Sequence, residues 1–85
     1  GGGVSADMPT TVIADVVGMG VLDVLVTTGL VASKGEARRI VQQNGLSIND
    51  AKYTDVNGTI TADMLTDDGI IIKKGKKVFH RIVTE

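Results

Sequence analysis

Ser33-Lys34-Gly35-Glu36-Ala37-Arg38-Arg39-Ile40-Val41-Gln42-Gln43-Asn44-Gly45 decides how this chain reads. Ser33 stands three residues before Glu36, the spacing of a capping box. The hydroxyl accepts a backbone N–H and the carboxylate reaches back to another. Ala37, Ile40 and Val41 recur at helical spacing and form one narrow apolar face. Asn44-Gly45 predicts the stop, with glycine supplying the left-handed conformation of a helix end. Lys34, Arg38 and Gln42 are four apart and form a row beside the apolar face, while Arg39 points further into water. The helix N-terminus carries partial positive charge, to which Lys34 adds a full one. Such an end suits an anion, phosphate first among them.

On the N-terminal side, Val21-Leu22-Asp23-Val24-Leu25-Val26-Thr27-Thr28 reads as a second helix that stops at Gly29. Its valines lower helix propensity, so packing must hold it. Leu30-Val31-Ala32 is a tight apolar link, and two helices joined so closely should pack as a hairpin. Thr10-Thr11-Val12-Ile13-Ala14 is β-branched. It reads equally as a short strand or as an ordered arm. On the C-terminal side, Leu46-Ser47-Ile48-Asn49 alternates as a strand. Asn49-Asp50-Ala51-Lys52 reads as a turn, with Tyr53-Thr54 as the return strand. Thr61 reads as the cap of one helical turn over residues 62–65. Ile70-Ile71-Ile72 and Val78-Phe79-His80-Arg81-Ile82-Val83 form the clearest strand pair. Gly75, within Lys73-Lys74-Gly75-Lys76-Lys77, supplies a positive φ at the tip between them. The expected fold is α+β: one small domain over residues 10–85, a helical hairpin on a small antiparallel sheet. Residues 1–9 read as a flexible linker or tag.

Eighty-five residues suffice for one domain of modest core. There is no cysteine and a single histidine, which excludes disulfides, thiolate metal sites and a multi-histidine metal site within the chain. No apolar run approaches the roughly 20 residues that span a membrane, so the expectation is a soluble, cytoplasmic protein without a membrane partner. The formal net charge of −1 argues against nucleic acid, but its distribution argues for it. Residues 34–49 and 73–85 are net basic, whereas 1–33 and 50–72 are net acidic. Candidate phosphate contacts are therefore Lys34, Arg38, Arg39 and Gln42 on the helix, with Lys73, Lys74, Lys76, Lys77 and Arg81 on the hairpin. Each has a plainer reading: a solvated helix flank for the first group, and an edge kept soluble by lysines for the second.

His80 lacks a recognisable nucleophile in the sequence and reads as a histidine on a sheet face. Asp63, Asp67 and Asp68 lack calcium-loop spacing. No Gly-rich phosphate loop is present. Only Tyr53 and Phe79 are aromatic, so RNA contacts should be mostly to phosphate, sugar and shape.

Residues 28–49 resemble the alpha-L RNA-binding motif, named for small-subunit ribosomal protein four. The flanks narrow the likeness. Asp7-Met8-Pro9-Thr10-Thr11, Leu22 through Leu30, and Ile72-Lys73-Lys74-Gly75-Lys76-Lys77-Val78-Phe79 look like the C-terminal domain of a bacterial tyrosyl-tRNA synthetase. The resemblance implies a domain appended to a catalytic domain and a helical anticodon-side domain in a homodimeric parent. It implies a grip on tyrosine tRNA near the long variable arm and anticodon stem, with the basic residues above at the motif's basic positions. Two departures stand out. Gly35 replaces a longer polar or basic residue, and Asp50 replaces a glycine after asparagine. The implied parent is an ATP-dependent ligase. This chain, lacking nucleotide-binding signatures, is expected to hold no cofactor and not to be an enzyme by itself. Two other readings remain open: a protein-docking module, favoured by the apolar Thr10–Val17 arm and net acidity, and a free-standing ribosome-associated RNA binder.

Overall fold

The helix at the centre of the sequence forms as its ends dictate. The computed structural model of the chain describes residues 8–84. Seven of the nine residues read as a linker, 1–7, lie outside them. Two helices, α1 (Val21–Thr28) and α2 (Lys34–Gln42), precede most of the sheet. Ser33 caps α2 in extended conformation, and its Oγ accepts the Glu36 N–H at 3.3 Å. Glu36 Oε1 reaches back to the N–H of Ala32 at 2.7 Å, one residue beyond the partner a capping box prescribes.

The stop differs from the expectation. Asn44, at φ 60°, takes the left-handed conformation, and Gly45 does not. The Gly45 N–H bonds Ile40 O at 2.8 Å and the Asn44 N–H bonds Val41 O at 3.1 Å, the two bonds of a Schellman end. Asparagine visits this conformation more readily than most residues with a Cβ, because its short polar side chain can hydrogen-bond locally. Gly45 is used for closeness instead, since a Cβ there would stand 3.3 Å from Ile40 O.

Five strands form one sheet: β1 (Thr10–Val12), β2 (Leu46–Ile48), β3 (Ala51–Lys52), β4 (Ile70–Lys74) and β5 (Val78–Val83), in the order β1-β5-β4-β2-β3. The four strands after the helices are antiparallel, as expected. The Thr10–Ala14 stretch adds to the edge as a strand, parallel to β5. The N–H of Arg81 bonds Pro9 O, and the N–H of Ile13 bonds Val83 O, both at 2.8 Å.

The β2–β3 connection also departs from the reading. Asn49 and Asp50, at φ 51° and 68°, form a two-residue turn, and the return strand starts at Ala51 rather than Tyr53. Two successive positive φ values define the mirror-image turn whose twist suits a hairpin. The helical turn read over residues 62–65 is a 3-10 turn, Ala62–Met64. No side-chain bond from Thr61 caps it. Hydrogen bonds from Thr61 and from its own backbone hold the Asp63 carboxyl below the usual range.

The core lies between the helices and one face of the sheet. Val24 and Leu25 of α1 and Ala37 and Val41 of α2 are buried with Leu46, Ile70, Ile72 and Ile82. Gly35 sits in the first turn of α2 at an ordinary negative φ, and an added Cβ would meet only Ser33 Oγ at 3.9 Å. Gly35→Ala should therefore raise stability by about 0.5–1 kcal/mol, through the entropy glycine loses on folding. Urea denaturation should show a higher midpoint at unchanged slope.

Candidate nucleic-acid interface

The hairpin between β4 and β5 closes through Gly75-Lys76-Lys77, with Gly75 at φ 69° as the tip requires. Two bonds pin this hairpin to α2 and its approach. The Gly75 N–H donates to Gly45 O at 2.7 Å, just past the C-terminal end of α2. Lys74 Nζ donates to Leu30 O at 2.7 Å, in the link that leads into α2. The two basic segments of the sequence thus adjoin, with Lys34 and Lys74 both on the helix-bearing side.

The candidate cations divide by what they touch. Lys34 forms an ion pair with Asp23 of α1, Nζ to Oδ1 at 2.7 Å, between two exposed side chains. A phosphate at this helix end must compete with that carboxylate. Lys74 is half-buried and spends its charge on Leu30 O, so it joins the hairpin to the helical hairpin. Arg38, Arg39 and Gln42 are exposed along α2, and Lys76 and Lys77 are exposed at the tip. Among the described residues these five make no ion pair.

Register assigns the remaining cations to the other face of the sheet. Directly opposed residues share a face, as do residues two apart along a strand, whereas adjacent residues do not. Lys52, Ser47, Lys73 and Phe79 are opposed in turn across β3, β2, β4 and β5. Ile71, Arg81 and Thr10 form the adjacent row. Both rows lie opposite the buried Ile72, Ile82 and His80. Lys73 Nζ lies 6.0 Å from the Phe79 ring centroid. Arg81 Nε is buried without a hydrogen-bond partner among the described residues. Lys52 was missed in the sequence, where it was read as part of a turn. Its alternation with Ala51 in a hairpin that opens on Asn49-Asp50 was the available signal. Asp23 was missed as the partner of Lys34, since no local spacing links the two.

The histidine is structural. His80 is 7% exposed, and its Nε2 lies 2.6 Å from Thr11 Oγ1, joining β5 to β1. Burial holds its imidazole below the usual range. Tyr53 leans against Gly58, with its hydroxyl buried. Burial, and then the nearby Asp55, pushes its phenol up. Of the two aromatic residues, Phe79, 40% exposed, is the more open. Among the described residues no cluster of metal-ligating side chains occurs, and no helix is long and apolar enough to cross a membrane.

The profile of the family described as "Tyrosine--tRNA ligase SYY-like C-terminal domain" matches residues 2–82. A tyrosine–tRNA ligase of Clostridium tetani is 51% identical over 81 residues, which cover 94% of this chain and 20% of the relative. Tyrosine–tRNA ligase 1 of Clostridium acetobutylicum is 45% identical over 86 residues, 98% of this chain and 21% of the relative. A tyrosine–tRNA ligase of Clostridium botulinum, strain Loch Maree, is 45% identical over 80 residues. The chain thus spans about a fifth of the length of the curated relatives it matches. With a profile match over nearly its whole length, the chain belongs to the family of C-terminal domains of tyrosine–tRNA ligases.

Proposed function

We propose that this chain is the RNA-binding domain of a tyrosine–tRNA ligase and grips tyrosine tRNA through phosphate contacts. The observation that carries the reading is the junction of the two basic segments, with Gly75 bonded to Gly45 and Lys74 to Leu30. That junction brings the hairpin that carries Lys76 and Lys77 against the C-terminal end of α2, the helix that carries Arg38 and Arg39. Gln42 adds a neutral donor to the same helix flank. The contacts fall near the long variable arm and anticodon stem, a placement implied by the family resemblance. The rest of the parent, a cytoplasmic homodimer, carries out ATP-dependent attachment of tyrosine. This domain adds affinity and orientation and needs no cofactor of its own.

Each phosphate neutralised releases counterions, so log K should fall against log salt by about 0.7 to 0.9 per contact. The test is a titration of the full-length protein with a tyrosine tRNA transcript at three salt concentrations, beside a transcript without the long arm. Arg38→Ala should weaken binding and reduce the slope by about one contact. A salt response that the substitution leaves unchanged would remove α2 from the interface. Salt-sensitive binding indifferent to the arm would point to a general RNA binder. No binding even at low salt would leave the docking module.

A further inference from the structure

We propose that the open face of the sheet is a second part of the interface, where a single unpaired nucleotide stacks its base on Phe79 while Lys73 and Arg81 hold the adjoining phosphates. The inference rests on the RNA-binding reading above and adds base contact to a surface otherwise built for phosphate.

The face has the chemistry of a nucleotide and of little else. Phe79 is the one aromatic ring on it and is 40% exposed, on a strand whose neighbours Ile82 and Ile72 are sealed inside. Lys73 lies directly opposite Phe79 in the register, and its ammonium reaches 6.0 Å from the ring centroid. Arg81 follows two residues later on the same face, half-buried, with its Nε buried and without a protein partner among the described residues. Lys52 extends the row across Ser47. None of the strand positions of this face is acidic.

A ring flanked by cations on a flat sheet suits a base with its charged backbone. Every base has a π-face, and stacking on an aromatic side chain needs no particular sequence. Lys76 and Lys77 close the turn between β4 and β5, and their neighbour Gly75 bonds Gly45 just past α2.

The test uses the full-length protein and a tyrosine tRNA transcript carrying 4-thiouridine in place of uridine. Irradiation should cross-link a nucleotide to the peptide over residues 78–81. Phe79→Leu should weaken binding about tenfold at unchanged salt slope, because a stacked base carries no counterion. Phe79→Tyr keeps the ring and should bind within about twofold of the native protein, with Phe79→Leu matched to it in thermal stability. Lys73→Ala should instead reduce the slope by about one contact. If Phe79→Leu binds as tightly as the native protein, or every cross-link falls on residues 34–43, the face is not used and the proposal fails. In that case Arg38→Ala still weakens binding, so the RNA-binding reading survives. If the native protein binds no tRNA, both fail together, and protection of residues 71–81 in hydrogen exchange would identify a docked protein surface instead.

Discussion

Gly69→Ala should be the most damaging single-methyl change in this domain, costing about 3 kcal/mol or more. Gly69 stands at φ 86° and is buried where the Thr66–Gly69 turn delivers the chain into β4. Its N–H and C=O both bond Thr66, at 2.9 and 3.1 Å, and its carbonyl also accepts the Thr66 hydroxyl at 2.6 Å. A Cβ here would drive into the carbonyl oxygen of Ile82 and stand 3.0 Å from Val83 Cγ1. No rotamer relieves a clash with backbone, so β4 and β5 must separate where Ile70 pairs with Ile82. Gly18→Ala is the control. Gly18 has φ 95° but nothing within 4 Å of an added Cβ, so it reports the conformational cost alone, about 1 kcal/mol. In thermal unfolding the first variant should melt about 12 °C or more below the native protein, and the control about 4–8 °C below. Equal losses would show that the approach of Ile82 relaxes freely.

Asn49→Ala should rank next, at about 3 kcal/mol. Asn49 does three things at once. Its N–H bonds Ile71 O at 2.8 Å, its Oδ1 accepts the Ile71 N–H at 3.0 Å, and its Nδ2 donates to Met64 O at 2.7 Å. The side chain thus replaces a missing ladder partner for β4 and holds the 3-10 turn against the sheet. Alanine leaves the Ile71 N–H and the Met64 carbonyl unpaired, each worth about 1–3 kcal/mol where water is excluded. It also sits less well at φ 51°. Asn49→Gly separates these effects, because it frees the backbone but still lacks both bonds. It should recover only about 1 kcal/mol of the loss. Hydrogen exchange gives the local readout: the Ile71 amide should lose protection in both variants, while amides of α1 follow the global stability.

These two positions also mark what a sequence reading can reach here. The helices were legible because their signals are local. Leu22, Leu25 and Val26 share a helical face, Gly29 stops α1, and Ser33 with Glu36 starts α2. The isoleucines of β4 and the Gly75 tip were legible for the same reason. Asn49-Asp50 was seen as a turn, but its length was not, since only the pairing of Ile48 with Ala51 shows that both residues take positive φ. Asn44 and Gly45 were seen as a stop with their roles exchanged. Gly45 is dictated by the nearness of Ile40, which composition does not record. Candidate cations were visible as residue types, but their duties were set by distant partners. Asp23 takes Lys34, Leu30 takes Lys74, and the strand register sends Lys73 and Arg81 to the face opposite Lys74.

The parallel pairing of β1 with β5 has a mechanical consequence. The earliest strand and the last lie side by side and point the same way, bonded from Pro9–Arg81 to Ile13–Val83. Tension pulling the chain before Pro9 away from the chain after Val83 runs along both strands in opposite directions. Their bonds are then loaded together, in shear, instead of being peeled one after another. A pull of that direction meets the strongest resistance this topology offers, with His80 and Thr11 as a side-chain rivet across the same seam.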